Sequence, residues 1–236
     1  MISVFNYPLY IFFAVLPSLA WLNFYLRKDN RPEPKRMILK VFFFGLIIVL
    51  PAIFLEIGIF KTIEEFSLSP SLLLFLNTFL GVALIEEVLK FLVIKEKVLS
   101  FPEFDEPVDA MIYSIVAALG FAAGENLLIF LPSKIILFRE MLGISLLRFL
   151  GATFLHALCA AVFGFFIGLS FFKKEKMSGL VFLGLFLAIL LHGTYNLAIN
   201  KLKEDLKYLY LPIFLLVTVA ILVSFGFKKL KTLKNY

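Results

Sequence analysis

Long apolar windows constrain the fold of this chain more than any other feature. Hydrophobic residues make up 61% of its 236 residues, and they gather in seven windows of 19 to 24 residues. A membrane-spanning helix needs about 20 apolar residues, and the longest gap between windows, 132–148, is too short to bury its own core. The sequence therefore predicts an all-α polytopic membrane protein with about seven transmembrane helices, in a single transmembrane domain over 1–236 with no soluble domain. The windows are 8–26, 38–60, 71–94, 108–131, 149–172, 178–200 and 208–227.

The charge pattern predicts how these helices are oriented. A net charge of +6 in a polytopic protein is typical of Lys and Arg enrichment in cytoplasmic loops. With the amino terminus outside, the cytoplasmic loops carry fifteen basic residues and the outer loops seven. We therefore expect a cell-membrane protein with its carboxyl terminus in the cytoplasm, in contact with the lipid bilayer and with no nucleic-acid partner. Segment 134–148 is apolar enough to form an interfacial helix.

Charged residues inside the third window indicate a functional role. A charge at bilayer depth costs about 2.5–3.5 kcal/mol on insertion scales, and Glu86, Glu87 and Lys90 all lie there. Glu86 and Lys90 share a helix face, whereas Glu87 is rotated by about 100°. We therefore expect Lys90 to neutralise only part of the acidic pair, and a purely structural ion pair would need only one glutamate. Glu56, in contrast, lies one turn from a predicted membrane edge and can reach the interface.

The fourth to sixth windows add polar residues to the same depth. Glu125 and Asn126 follow a run of small residues that permits close helix approach. Both histidines of the chain, His156 and His192, lie inside windows, and His192 shares a helix face with Asn196. We therefore predict one pocket within a four-helix core, the third to sixth helices over 71–200. Its residues are Glu86, Glu87, Lys90, Glu125, His156, His192 and Asn196.

This set of residues favours hydrolysis by an activated water molecule. A glutamate can take the proton from water, and histidine and asparagine can donate to the developing oxyanion. His156, His192 and Glu86 could also bind a divalent metal such as Zn²⁺, although the HExxH spacing is absent. The residues alone leave the metal question open, and we assign no cofactor. Two alternatives are a proton- or ion-coupled transporter and a non-catalytic scaffold or immunity protein.

The combined motifs resemble the PrsW family of bacterial membrane proteases over roughly residues 25–200. Each motif alone is weak, but together they are specific. The matching motifs are Glu86-Glu87-x-x-Lys90, Phe121-x-x-x-Glu125, His156, His192-x-x-x-Asn196, Arg31-Pro32-Glu33-Pro34, Phe104-Asp105-Glu106-Pro107-Val108-Asp109 and Gly120-Phe121-Ala122-Ala123-Gly124-Glu125-Asn126.

The resemblance implies an intramembrane endopeptidase that cleaves a single-span anti-sigma factor in its extracytoplasmic part, as a site-1-type protease. The family is distantly similar to CAAX-processing and bacteriocin-immunity membrane proteases. That similarity implies Glu86 as the base, Glu87 as its partner, and His192 with Asn196 as the oxyanion donors. Glu125 replaces a histidine of the wider superfamily, and His156 is the candidate for the missing imidazole. We favour metal-free chemistry, with zinc as the alternative. Lys90, Phe121 and Asn126 are expected to support these residues.

Overall fold

The fold consists of helices throughout the part of the chain that the structure describes. This computed structural model describes residues 7–29, 31–131, 137–170 and 177–233, and these residues form no β-strand. A π-helical segment, Asn77–Leu84, precedes α5, and a short 3₁₀ turn, Leu206–Leu209, precedes α10. The α-helices are α1 (Tyr7–Leu26), α2 (Lys35–Ile47), α3 (Val49–Glu64), α4 (Pro70–Leu76), α5 (Ile85–Lys97), α6 (Asp109–Phe130), α7 (Phe138–Leu150), α8 (Ala152–Ser170), α9 (Met177–Glu204) and α10 (Tyr210–Thr232).

Among the described residues, seven helical segments are long and apolar enough to cross a membrane, which confirms the predicted polytopic all-α fold. The fifth segment is longer than its 149–172 window, because α7 leads into α8 with only Gly151 between them. Helix α7 covers most of the 134–148 segment, but residues 132–136 lie outside the described residues. So do Lys173, Lys174, Lys176 and Lys234, which contribute to the predicted orientation. The spans are Tyr7–Leu26, Lys35–Glu64, Pro70–Lys97, Asp109–Phe130, Phe138–Ser170, Ser178–Glu204 and Leu206–Thr232.

Helix α6 occupies the centre of this arrangement. Most of its side chains are buried, and it packs against α1, α2 and α8. Small residues make this close packing feasible: a Cβ atom at Gly120 would overlap the carbonyl group of Phe42 on α2. The close approach places Phe121 and Glu125 inside the helical assembly rather than on its lipid-facing surface.

The π-helical segment lies immediately before the paired glutamates. π-helical turns are rare and frequently occur at functional sites. The ring of Phe79, within this segment, packs against Gly193 of α9 and fills the space that a Cβ would need. Because α9 can approach so closely at Gly193, the neighbouring His192 comes within reach of α5.

Candidate active site

The paired glutamates and Lys90 lie on α5 and are buried, each with no more than 4% of its surface exposed. Lys90 Nζ donates to Glu86 Oε2 at 3.0 Å and to Glu87 Oε1 at 2.8 Å. Lys90 thus contacts both carboxylates, including the one at the rotated position, but its single positive charge can neutralise only part of the pair. The long lysine side chain places its ammonium between residues three and four positions earlier on the helix, so it reaches both.

Two imidazoles from different helices complete this cluster. His192 on α9 has Nδ1 2.8 Å from Glu87 Oε1 and Nε2 4.0 Å from Glu86 Oε2. His156 on α8 has Nδ1 2.9 Å from Lys90 Nζ and 3.8 Å from Glu86 Oε2. The two rings are nearly perpendicular, with centroids 5.1 Å apart. We call these five residues, Glu86, Glu87, Lys90, His156 and His192, the acid–imidazole cluster.

The contact between Lys90 and His156 fixes the tautomer of this histidine. An ammonium group only donates hydrogen bonds, so His156 Nδ1 accepts and its proton lies on Nε2. That nitrogen is 2.8 Å from Glu125 Oε2, which accepts the bond. Glu125 on α6 therefore belongs to the same network through His156, as its depth in the sequence suggested.

Arg148 is a member of the network that the sequence analysis missed. Its Nη2 donates to Glu125 Oε2 at 2.9 Å, and its Nε donates to Asn126 Oδ1. The fully buried Asn126 also donates to the carbonyl oxygen of Ala14 at 2.9 Å. Arg148 falls among the loop residues in the charge pattern, because the fifth apolar window begins at residue 149. Its position next to a span that carries a predicted site histidine was the one available signal.

Phe121 and Asn196, the remaining predicted site residues, differ in their placement. The Phe121 ring lies beneath Lys90, with Nζ 4.4 Å from its centroid, a cation–π geometry that supports a buried ammonium. Asn196 lies one turn after His192 and is partly buried, but its side chain makes no hydrogen bond with any described residue. Its carbonyl oxygen accepts from Asn200. The oxyanion role of Asn196 stays a prediction.

The donor atoms of the cluster fit a divalent metal ion. Among the described residues, one donor atom each from Glu86, Glu87, His156 and His192 lies within 4.8 Å of the others. Imidazole nitrogens and carboxylate oxygens are zinc ligands, and this set includes all three candidates from the sequence. Lys90 Nζ lies within 3.0 Å of atoms from three of these four residues. The ammonium and a metal ion would therefore compete for the same donors.

A groove in the outer surface of the helices reaches two residues that contact the acid–imidazole cluster. It has a volume of about 200 Å³, lies between α3 and α6, and reaches Phe121 and Glu125. Glu56 lies in its wall, so the assignment of this residue to the membrane interface misses its position beside the site. We call this cavity the α3–α6 groove. Its lining residues are Val49, Ala52, Ile53, Glu56, Phe121, Glu125, Leu128, Ile129 and Arg148.

Most of the chain is similar to one family of membrane proteases. Residues 33–224 match a family model described as PrsW family intramembrane metalloprotease. A relative named Protease PrsW from Geobacillus kaustophilus (strain HTA426) is 32% identical over 226 residues, covering 94% of this chain and 91% of the relative. The Protease PrsW of Bacillus subtilis (strain 168) is 28% identical over 226 residues, with 94% of each chain covered. No solved structure matches.

These similarities identify the class first and then the family. A multi-pass helical fold with a match to named proteases over most of its length is a membrane peptidase. The chain belongs to the PrsW family, as its motifs suggested. A third relative, Protease PrsW of Clostridioides difficile (strain 630), is 28% identical over 233 residues, with 94% and 90% of the two chains covered.

Proposed function

We propose that the chain is an intramembrane endopeptidase that hydrolyses a peptide bond of a membrane-anchored protein by means of the acid–imidazole cluster. The observation that carries this proposal is convergence. Helices α5, α8 and α9 bring two carboxylates and two imidazoles to within 4.8 Å of one another at buried positions. Because ionisable groups in membrane spans are costly, such a cluster favours chemistry over packing. Membership in a family of proteases leaves the transporter and scaffold alternatives without support.

Glu86 is the best placed base in the cluster. Its Oε2 lies 3.8 Å from His156 Nδ1 and 4.0 Å from His192 Nε2, so it borders the space between the two rings. A water molecule held there would lose its proton to Glu86 as its oxygen attacks the peptide carbonyl carbon. The same proton then leaves on the amine nitrogen as the peptide bond breaks.

Glu87 orients His192. Its Oε1 accepts from His192 Nδ1–H, which leaves Nε2 of the neutral ring as an acceptor directed towards Glu86. His192 donates to an oxyanion only after Nε2 has gained a proton. We therefore propose that His192 first helps to hold the water. Its Nε2 then receives the proton that Glu86 took from the water and stabilises the oxyanion with it, before that proton passes to the leaving amine; Asn196 is the further donor that the resemblance implies.

The family description names a metalloprotease, and the donor set of Glu86, Glu87, His156 and His192 fits such an ion. A bound divalent ion would activate water and polarise the scissile carbonyl group. Treatment with a chelator distinguishes metal-dependent hydrolysis from the metal-free hydrolysis that we favour. Turnover that persists in protein shown to be metal-free by elemental analysis supports the metal-free route. Loss of turnover that Zn²⁺ restores supports the metal.

We propose, on the resemblance to the family, that the substrate is a single-span anti-sigma factor cut in its extracytoplasmic part. The excess of Lys and Arg in alternate loops supports an outside amino terminus and a cytoplasmic carboxyl terminus. The single transmembrane domain with its core at 71–200 remains part of this proposal.

Coexpression with candidate anti-sigma factors tests the proposed function. We expect wild type to release an extracytoplasmic fragment and Glu86→Gln to release none at equal protein level. Glu96→Gln is the matched control, because Glu96 is an exposed carboxylate on the same helix α5. Equal cleavage by Glu86→Gln and wild type would contradict the assigned base. Failure of the purified wild type to cut any single-span protein in proteoliposomes would contradict the endopeptidase itself.

A further inference from the structure

The α3–α6 groove holds one acidic residue that lies outside the hydrogen-bond network of the acid–imidazole cluster. We propose that this residue, Glu56, determines substrate specificity by binding a Lys or Arg side chain of the substrate near the scissile bond. The inference rests on the proposed endopeptidase function and adds the substrate feature that the site would select.

The position of Glu56 supports a contact with substrate. It lies on one face of α3 with Val49, Ala52 and Ile53, and this face forms one wall of the groove. Phe121 contributes to the same cavity and lies beneath Lys90. A polypeptide segment in the groove would therefore touch Glu56 at one point and approach the acid–imidazole cluster at another.

The charges of the groove favour a cationic occupant. Glu125 is neutralised within the protein, because it accepts from both Arg148 and His156. Glu56 makes no hydrogen bond or ion pair with any residue in the described ranges, although it is partly buried within a membrane span. An uncompensated charge at this location is costly, and a bound cation removes the cost. Since Arg148 offsets Glu125, Glu56 is the carboxyl group of the groove that is left to pair with a cation, and a bound Lys or Arg would favour its ionised form over the protonated one.

The shape of the groove suits a long basic side chain. Its volume of about 200 Å³ accommodates a short stretch of polypeptide rather than a folded domain. The apolar walls can pack against the methylene stem of Lys or Arg while the charged end meets Glu56. Leu128 and Ile129, at its margin, are 38% and 41% exposed, so the groove opens laterally, where a single-span substrate lies.

A randomised substrate tests this assignment. Purified full-length protein is reconstituted in proteoliposomes with a single-span reporter whose juxtamembrane residues are randomised, and the cut products are sequenced by mass spectrometry. The variants are Glu56→Gln, Glu56→Lys and the control Glu64→Gln, because Glu64 is an exposed carboxylate at the far end of α3. Glu87→Gln measures the background.

We expect wild type and Glu64→Gln to enrich Lys or Arg about tenfold at one fixed position relative to the cut, the scale of a partly buried charge pair. Glu56→Gln should lose this enrichment while still cutting, and Glu56→Lys should prefer Asp or Glu at that position. If cleavage depends on Glu87 but Glu56→Gln shows the same charge preference as wild type, the role of Glu56 is overturned and the proposed endopeptidase function stands. Cleavage no greater in wild type than in Glu87→Gln overturns the endopeptidase and this inference with it.

Discussion

Two groups of carboxylates in this protein differ in what neutralises them. In the acid–imidazole cluster, Glu86 and Glu87 face an ammonium and two imidazoles from three helices. A second group, Asp29, Glu33 and Asp109, has its oxygens within 4.8 Å of one another. We call it the loop carboxylate cluster.

Fixed donors bind two members of the loop carboxylate cluster. The backbone N–H groups of Asp105 and Glu106 donate to Asp109 Oδ2 at 3.1 and 2.6 Å, and the Tyr113 hydroxyl donates to Glu33. Asp109 thus caps the preceding turn rather than its own helix α6.

The two groups therefore differ in the type of hydrogen-bond donor, and this difference distinguishes the proposed reactive site from a structural one. Backbone amides do not titrate near neutral pH, whereas imidazoles do. The loop carboxylate cluster therefore connects Asp29, Glu33 and the 99–108 loop to α6, and the acid–imidazole cluster can move protons.

The largest expected effect separates the two groups by activity. Glu87→Gln should reduce cleavage about 10³-fold, because a positioned acid–base partner contributes roughly 10²–10⁴-fold. Glu33→Gln should leave cleavage unchanged, since Glu33 contacts Tyr113 rather than the acid–imidazole cluster. Single-turnover cleavage of a single-span reporter in proteoliposomes measures both. A loss of cleavage of similar size in both variants would contradict the difference in role between the two clusters.

Stability distinguishes Lys90 from a cation that lies next to the loop carboxylate cluster. Lys90→Met should lower the free energy of unfolding by about 3–5 kcal/mol, because it leaves two buried carboxylates uncompensated. Arg31, whose side chain is 66% exposed in its ion pair with Glu106, is the matched case. Arg31→Met should cost less, roughly 1–2 kcal/mol, because solvent screens the exposed guanidinium although its partner Glu106 is buried. Thermal unfolding in detergent provides the measurement, and equal losses would contradict the expected difference.

Arg148 tests whether the acid–imidazole cluster extends to α7. Arg148→Ala should reduce cleavage by about tenfold, because Glu125 then loses a partner and orients His156 less well. Arg148→Lys should recover only part of the rate, since lysine cannot reproduce the guanidinium bonds to both Glu125 and Asn126. Full activity of Arg148→Ala would show that the network ends at Glu125.

The smallest expected effect is a pH dependence of the loop carboxylate cluster. Burial raises the pKa of Glu33 above its ordinary value of 4.5, and the nearby charges of Asp29 and Asp105 raise it further, while the Tyr113 hydrogen bond lowers it. The folded state then binds this proton more tightly than the unfolded state. The contribution of Glu33 to stability is therefore greatest below about pH 4.5 and declines as pH rises through the raised pKa.

Thermal unfolding as a function of pH tests this sign. Glu33→Gln should flatten the decline above about pH 4.5, by about 1.4 kcal/mol for each unit of pKa shift. Glu103→Gln, in the same loop region but without a hydrogen bond to Glu33, is the control. A steeper decline in Glu33→Gln would reverse the inferred direction.

The sequence could predict the number of spans and the windows that contain the polar residues, because hydropathy and the cost of burying charge are local properties. It could not predict contacts that depend on helix rotation. Arg148 reaches Glu125 only because α7 continues almost directly into α8. Glu56 lines a groove only because α3 packs beside α6. The reach of Lys90 to both glutamates depends on its rotamer, which spacing alone does not specify.

The π-helical turns at Asn77–Leu84 have a consequence for how this site can be altered. Each residue added to or removed from a helix turns everything beyond it by about 100°. If the same residues wound as an ordinary α-helix, the acidic pair would turn by up to about 100° away from the histidines, because a π-helical stretch accommodates roughly one residue more than an α-helical one. The direction in which the proposed catalytic side chains point can thus be changed from outside the acid–imidazole cluster, with every one of them intact.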